Sequence, residues 1–141
     1  MEVRKFRPQD LCAIHLQPNQ KIAPEGIEPL DFGSQLSVFS ETFTATHDGE
    51  VIACVGLIPF SGHCRRVWAY LSADSGRVML LLHRNILRWL RYHGAGRIEA
   101  TIACDFLAAI RWAEMLGFER EGPMKQFERG RDYFLYARVR T

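Results

Sequence analysis

The stretch from Gly76 to His93 most restricts the fold, because its apolar residues recur at helical spacing between two strand-like runs. On a helical wheel its apolar side chains lie on one side and its arginines on the other. A helix that connects two strands of one sheet implies a right-handed crossover and a locally parallel pair. The apolar side comprises Val78, Met79, Leu82, Ile86, Trp89 and Leu90, and the other side comprises Arg77, Arg84, Arg88 and Arg91.

The clearest turn signal is Asp48-Gly49, which separates the β-rich runs Thr42 to His47 and Glu50 to Pro59. This pair predicts a two-residue hairpin, because Gly tolerates a positive φ. Gly62 follows in a short connection, and Arg66 to Ala73 is predicted as the next strand.

The remaining segments predict elements on either side of this centre. They are a strand at Glu2 to Phe6, a helix from Pro8 to near Pro18, a loop over 19–29, a weaker helix at Asp31 to Ser40, a strand at Arg97 to Ala103, a helix capped by Asp105 and ending at Leu116, and a final pair, Phe118 to Phe127 and Asp132 to Val139, turning at Gly130. This order predicts an α/β (α+β) fold, with a mixed, mostly antiparallel sheet of about six to seven strands flanked by about four helices.

Composition predicts one soluble globular domain over residues 1–141, since 48% of the residues are hydrophobic and 24% are charged. A net charge of +2 is too small to imply a nucleic-acid or membrane partner. No apolar run follows Met1 as in a signal peptide, so a cytoplasmic protein is expected. Without any C-x-x-C pair, we expect neither a metal site nor a disulfide framework from Cys12, Cys54, Cys64 and Cys104.

The segment Ala109 to Phe118 (A-I-R-W-A-E-M-L-G-F), followed by Glu121-Gly122, resembles a segment of the acyl-CoA N-acyltransferase (GNAT) superfamily. The superfamily pattern is A-I-x-x-Y-x-x-x-G-F, followed by E-G. The order of elements is also similar, and the distance from Gly94 agrees without a gap. The resemblance covers about residues 42 to 139 and implies a single GNAT-like domain.

A narrower resemblance rests on three short stretches: Gly26 to Pro29, the Trp68 to Ser72 strand end, and Ala109 to Trp112. These are similar to small GNAT-like proteins of tailed phages and prophages, a group that includes an internal virion protein of podoviruses. This likeness implies phage structural proteins as partners and a virion-associated location.

The wider resemblance implies acetyl-CoA or CoA as cofactor, bound where the fourth and fifth strands separate. Its pyrophosphate would lie at the start of the third helix, where free amides and the helix dipole favour an anion. The residues implied are Leu71, Ala73, Asp74, Ser75, Gly76, Arg77 and Val78.

The superfamily's phosphate-binding pattern, Q/R-x-x-G-x-G/A, matches poorly here, because Asp74, Arg77 and Met79 stand at its three signature positions. Asp74 would repel phosphate and Met79 would crowd it, whereas Arg77 could pair with it. Gly76 lies one residue out of place. The alternative is an ordinary helix start capped by Asp74 or Ser75.

The superfamily's acid–base residues are also replaced. Ala113 stands where many members carry a Tyr that protonates the departing thiolate, and Phe106 stands in place of a helical Asn. The fourth predicted strand contains no carboxylate to act as a base. Substitute candidates are Tyr70, Glu99, Tyr133 and His63, each of which could equally have a purely structural role.

Three functions follow as alternatives. The first is an acyl-CoA-dependent N-acetyltransferase acting on a small-molecule or protein amine. The second is a non-catalytic phage or prophage protein that uses the fold for protein contacts, in virion assembly or host interaction. The third is a nucleic-acid-associated module using the arginines of the long helix, which could equally form a solvated charged face.

Overall fold

The computed structural model describes residues 1–18, 20–21 and 26–140. They divide into two compact units, Met1–Pro59 with Val67–Tyr92 and Phe60–Arg66 with His93–Thr141. The elements are β1 (Glu2–Arg4), α1 (Asp10–Ala13), α2 (Pro29–Phe39), β2 (Glu41–His47), β3 (Glu50–Ser61), β4 (Cys64–Leu71), a 3-10 helix (Ser75–Val78), α3 (Met79–Tyr92), β5 (Arg97–Ala103), α4 (Leu107–Met115), β6 (Glu119–Glu128) and β7 (Arg131–Val139).

The predicted fold class is confirmed. The described strands form a mixed sheet of seven in the order β1-β2-β3-β4-β5-β7-β6, in which β4 and β5 pair in parallel and the other registers given are antiparallel. The helix α3 connects the two parallel strands, as its helical period between two strand runs predicts. Among the described residues, four α-helices accompany this sheet, and none is long and apolar enough to cross a membrane.

In the first unit, the predicted hairpin between β2 and β3 is present. Both central residues of its turn have positive φ, 51° at Asp48 and 80° at Gly49. This conformation matches the twist of the flanking strands and explains why an Asp-Gly pair stands there.

The N-terminal helix is shorter than its sequence predicts. The prediction extends it to near Pro18, but α1 ends at Ala13, and Ile14 is already extended. Leu11 and Ile14 are buried with Phe6, Leu36 and Cys54 in one apolar cluster. After Ile14 the chain runs along the end of β4, and its hydrogen bonds to β4 replace the helical ones.

A buried carboxylate fixes the start of α1. Asp10 is 4% exposed and accepts two hydrogen bonds from the guanidinium of Arg4, at 2.9 and 2.8 Å. The amide of Arg7 and the hydroxyl of Thr44 donate to it as well, each at 2.8 Å. Burial alone would raise the pKa of Asp10, but these hydrogen bonds outweigh it and hold the pKa below its ordinary value.

The predicted apolar face of α3 is confirmed, since Val78, Leu82, Ile86 and Leu90 are all buried. Trp89 packs edge-on against Phe43, with ring centroids 5.0 Å apart. The first helical turn before α3 is a separate 3-10 helix, so the regular helix begins three residues later than predicted.

In the second unit, β7 pairs with both β5 and β6, and the β6–β7 turn contains Arg129 and Gly130 with positive φ of 54° and 69°. The predicted cap of α4 is wrong. Phe106 is the N-cap residue and makes no side-chain cap bond. The carboxylate of Asp105 instead accepts a hydrogen bond from Arg131 at 2.6 Å, because a guanidinium is a stronger donor than a backbone amide.

Candidate functional site

The loop between β4 and α3, where the sequence predicts the cofactor phosphate, is organised by Ser72. The Ser72 amide donates to the carbonyl of Ile52 on β3 at 2.8 Å. Its hydroxyl accepts from the amide of Asp74 at 3.0 Å, and its carbonyl accepts from the amide of Ser75 at 3.1 Å. Asp74, one of the two predicted caps, stands at the N-cap position, but its side chain makes no cap bond.

The N-terminal segment runs antiparallel to the end of β4. Leu16 forms a bridge with Ser72, the amide of Gln17 donates to the carbonyl of Leu71 at 3.1 Å, and the amide of Ala73 donates to the carbonyl of His15 at 2.8 Å. Successive residues of a strand direct their backbone groups to opposite sides. Because Ser72 faces β3, the groups of Leu71 and Ala73 face the other edge.

The side chain of Gln20 completes this cover. Its amide nitrogen donates to the carbonyl of Ala69 at 2.7 Å, and its oxygen accepts from the amide of Leu71 at 2.9 Å. The carboxamide therefore takes the place of a peptide group from a neighbouring strand. We call the backbone groups of Ala69, Leu71 and Ala73 that face away from β3 the β4 edge, and residues 15–18 together with Gln20 the covering segment.

These contacts decide how well the loop fits acyl-CoA. The five consecutive amides from Leu71 to Ser75 all donate to acceptors of the protein itself. Among the described hydrogen bonds, none uses the amide of Gly76 or Arg77, which are early helical positions without an intrahelical acceptor. Val78 is buried and apolar. Of the seven predicted cofactor residues, only Gly76 and Arg77 keep donors available, so the loop does not fit the cofactor in this conformation.

The charge of the loop also disfavours phosphate. The carboxylate of Asp74 is 56% exposed and lies 3.6 Å from the imidazole of His15, which is 80% exposed. An exposed carboxylate at this position repels an approaching pyrophosphate, although water and salt weaken the effect. Arg77 is exposed, so its guanidinium is available to offset this repulsion.

Ala113, which the superfamily resemblance aligns with a proton-donating Tyr, has only a methyl group as its side chain. Ala113 is buried inside α4, and its carbonyl accepts hydrogen bonds from the amides of Leu116 and Phe118. It has no proton to transfer. Phe106, at the position of the helical Asn, is half-buried at the start of α4.

Glu99, a candidate base, is the centre of an ion network in the second unit. It is 7% exposed and accepts hydrogen bonds from Arg66 at 3.1 Å and from Arg97 at 2.8 Å. Arg97 also pairs with Glu121. Burial alone would raise the pKa of Glu99, but the two guanidinium groups outweigh it and lower the pKa. A carboxylate held in this way is a weak base with a structural role.

Tyr133, another acid–base candidate of the second unit, lies far from Glu99 along the sheet. Tyr133 packs against Phe127 at 5.4 Å, and burial together with Glu128 raises its pKa, which makes it a poorer acid. The strand register separates Tyr133 from Glu99 by four residue pairs, about 13 Å along β5.

Tyr70, in the first unit, is half-buried and packs against Trp68 at 5.9 Å. His63 is exposed at the β3–β4 turn and contributes its carbonyl to the amide of Arg97.

The cysteines and acids of the described ranges do not form a metal site, since no group of three or more His, Cys, Asp and Glu residues comes together there. The four cysteines are free thiols. Burial raises the pKa of Cys54 to about 12, so this thiol is inert at neutral pH.

Sequence reasoning did not identify the covering segment. Gln17 and Gln20 lie in a polar stretch around Pro18 without a motif, and Gln20 is 51 residues from Leu71. A side-chain amide that pairs with a distant strand leaves no periodic signal in the sequence.

Solved structures to which this chain is similar include N-acetyltransferases. A ribosomal-protein-alanine N-acetyltransferase from Brucella melitensis is 19% identical, with a TM-score of 0.76 over 99% of this chain and 100% of that one. An acetyltransferase of the GNAT family from Streptococcus pneumoniae is 16% identical, with a TM-score of 0.71 over 99% of both chains. An N-acetyltransferase from Staphylococcus aureus Mu50 is 14% identical, with a TM-score of 0.75 over 98% of this chain and 97% of that one.

No protein-family model matches the sequence, and a search of curated proteins finds no match. Similarity at this level of identity reports on the backbone and not on the chemistry. The chain therefore adopts the GNAT N-acetyltransferase fold, as the Ala109 to Phe118 segment and the order of elements predict.

Proposed function

We propose that this protein uses the GNAT fold for protein contacts and does not turn over acyl-CoA. One observation carries the proposal: the five amide donors from Leu71 to Ser75 all have acceptors within the protein, two in the covering segment, two in Ser72 and one in Ile52. The covering segment also binds the carbonyls of Ala69 and Leu71 on the β4 edge. A cofactor with peptide-like groups would have to compete for the same strand edge.

The energetic cost of that competition is substantial. The covering segment makes four hydrogen bonds to the β4 edge, two from the backbone and two from the side chain of Gln20. At about 1 kcal/mol each they oppose displacement by about 4 kcal/mol, which weakens a ligand roughly a thousandfold. Ala113 has no proton to give, and Glu99, held by two guanidinium groups, is a weak base for the transfer. The resemblance to phage and prophage proteins supports virion assembly or host contact as the setting.

A second candidate is an N-acyltransferase for a protein or small-molecule amine, in which the covering segment moves aside. It is supported by the available amides of Gly76 and Arg77, by the exposed guanidinium of Arg77, and by the full-length likeness to N-acetyltransferases. In this case acetyl-CoA or CoA would bind only after the hydrogen bonds of Gln20 break.

Isothermal titration of the full chain with acetyl-CoA and with CoA separates the two candidates. We expect no heat of binding up to millimolar ligand at two temperatures. Micromolar binding that is weakened by Arg77→Glu would overturn the proposal and support the acyltransferase.

The same titration with Gln20→Ala tests the role of the covering segment directly, because this change removes two of the four hydrogen bonds. Gln35→Ala is the matched control, since Gln35 is an exposed residue of α2. Binding by Gln20→Ala alone would show that the segment is a displaceable gate and would favour the second candidate. Binding by neither variant supports the first.

A further inference from the structure

The exposed side of α3 carries a concentrated positive charge. Arg84, Arg88 and Arg91, which we call the arginine face, are all exposed. They contribute +3 to a chain whose net charge is +2, so all other residues together carry −1. No acidic residue occurs between Ser75 and Ile98 in the sequence. The charge is therefore segregated on one helix.

The arginines of the described residues fall into two groups, because some form ion pairs and others, the arginine face and Arg111 among them, do not. Arg4, Arg66, Arg97 and Arg131 form ion pairs with carboxylates. Within the described ranges, no residue of the arginine face has such a partner. Their spacing of four and three residues places them about 6 Å and 4.5 Å apart along the helix axis, on one side of it. An elongated partner with regularly spaced anionic groups matches this arrangement.

Apolar side chains lie among the arginines. A shallow, open groove of about 520 Å³ is lined by side chains of α3 alone, which are the arginine face with Leu81, Asn85, Leu87 and Tyr92. Leu81 is 46% exposed, Tyr92 is 85% exposed, and the adjacent Leu80 is 70% exposed. Tyrosine and arginine are the residues that most often anchor protein interfaces.

We propose that this groove docks an acidic, amphipathic helical segment of another protein. Its carboxylates would pair with the arginine face, and its apolar side chains would cover Leu81 and the ring of Tyr92. Charge complementarity selects an anionic partner. The exposed aliphatic side chains favour a protein over a nucleic acid, because bases bind by stacking on aromatic rings, which Leu80 and Leu81 lack. This inference names the class of partner for the protein-contact role above and rests on it.

The test is fluorescence anisotropy of a labelled synthetic peptide with the full chain. The peptide is a helix of about 20 residues with Glu spaced to match the arginine face and Leu between the acids. Labelled oligo-dT is the comparison probe. We expect micromolar binding of the peptide at about 0.15 M salt, weaker at higher salt, and tighter than binding of oligo-dT.

Two variants make the result specific. Arg84→Glu with Arg88→Glu should weaken peptide binding at least about tenfold, whereas Arg111→Glu, an exposed arginine of α4, should leave it unchanged. Leu81→Ser should also weaken it, which a purely electrostatic contact would not predict. Circular dichroism checks that each variant is folded.

Three outcomes overturn the proposal. Binding of oligo-dT more tightly than the peptide, with no effect of Leu81→Ser, identifies a nucleic-acid surface. Absence of binding by either probe up to millimolar concentration identifies a solvated charged face. An equal effect of Arg111→Glu identifies non-specific attraction. None of these results depends on acyl-CoA, so failure here and failure of the proposed function can be told apart.

Discussion

The side-chain oxygen of Gln20 accepts a hydrogen bond of 2.9 Å from the backbone amide of Leu71. The same carboxamide donates to the carbonyl of Ala69, so one glutamine satisfies two backbone groups of β4. A side chain thus replaces a strand at the place where the superfamily resemblance implies a cofactor.

Gln20→Ala should lower the free energy of unfolding by about 1–2 kcal/mol. The amide of Leu71 and the carbonyl of Ala69 lose their protein partner and must bind water instead. Urea denaturation measures the change. Gln35→Ala, an exposed residue of α2, should stay within about 0.5 kcal/mol of the wild type. Equal stability of Gln20→Ala and the wild type would contradict the role given to the covering segment.

Gly56→Ala should destabilise the first unit by about 1–3 kcal/mol. A Cβ at this position would lie 2.5 Å from the indole ring of Trp68, which is itself hydrogen-bonded to Ser40. The rigid ring must shift, so tryptophan fluorescence should change together with the melting temperature. In Gly62→Ala the added Cβ meets nothing within 4 Å, and this control should melt like the wild type.

Asp10→Asn should cost about 2 kcal/mol at neutral pH, because the buried carboxylate that accepts hydrogen bonds from Arg4, Arg7 and Thr44 is lost, while water can still reach the guanidinium of Arg4. The folded-state pKa of Asp10 is lowered, so its contribution to stability is present above the unfolded pKa of about 3.9. That contribution is lost as the pH falls through the folded-state pKa.

Denaturant titrations over acidic pH check this linkage. The difference in unfolding free energy between the wild type and Asp10→Asn should shrink as the pH falls below about 3.9. Asp31→Asn, an exposed residue of α2, should show no such convergence. A difference that stays constant with pH would show that the Asp10 charge does not contribute.

Cysteine labelling should distinguish two classes of thiol. Cys12 is exposed and should react with iodoacetamide in the native state, whereas Cys54 is fully buried with a pKa of about 12. Cys54 should react only after unfolding. Mass spectrometry of the wild type and of Cys12→Ser measures both rates, and rapid native labelling of Cys54 would contradict the packing described.

The sequence predicts those elements that local physics determines. Asp48-Gly49 adopts the positive φ values that a tight hairpin requires, and the apolar stripe of α3 is buried as its period implies. Strand β5 has the predicted bounds, Arg97–Ala103. In these segments local preference and tertiary contacts agree.

The errors occur where tertiary contacts override local preference. The helix opened by Pro8 ends at Ala13, because the following residues pair with the end of β4. Asp105 is a residue type that commonly caps helices, yet its carboxylate binds Arg131, the first residue of β7. For the site, the sequence predicts that the phosphate loop departs from the superfamily pattern and that Ala113 stands in place of a Tyr. It does not reveal that the loop's own amides are already used.

The covering segment has a further consequence for solubility. An open strand edge offers unpaired N–H and C=O groups on which another chain can add a strand, and natural proteins shield such edges against aggregation. By pairing with Ala69, Leu71 and Ala73, the covering segment shields these backbone groups from a second chain. The same hydrogen bonds that fill the β4 edge therefore also protect it against strand addition and aggregation.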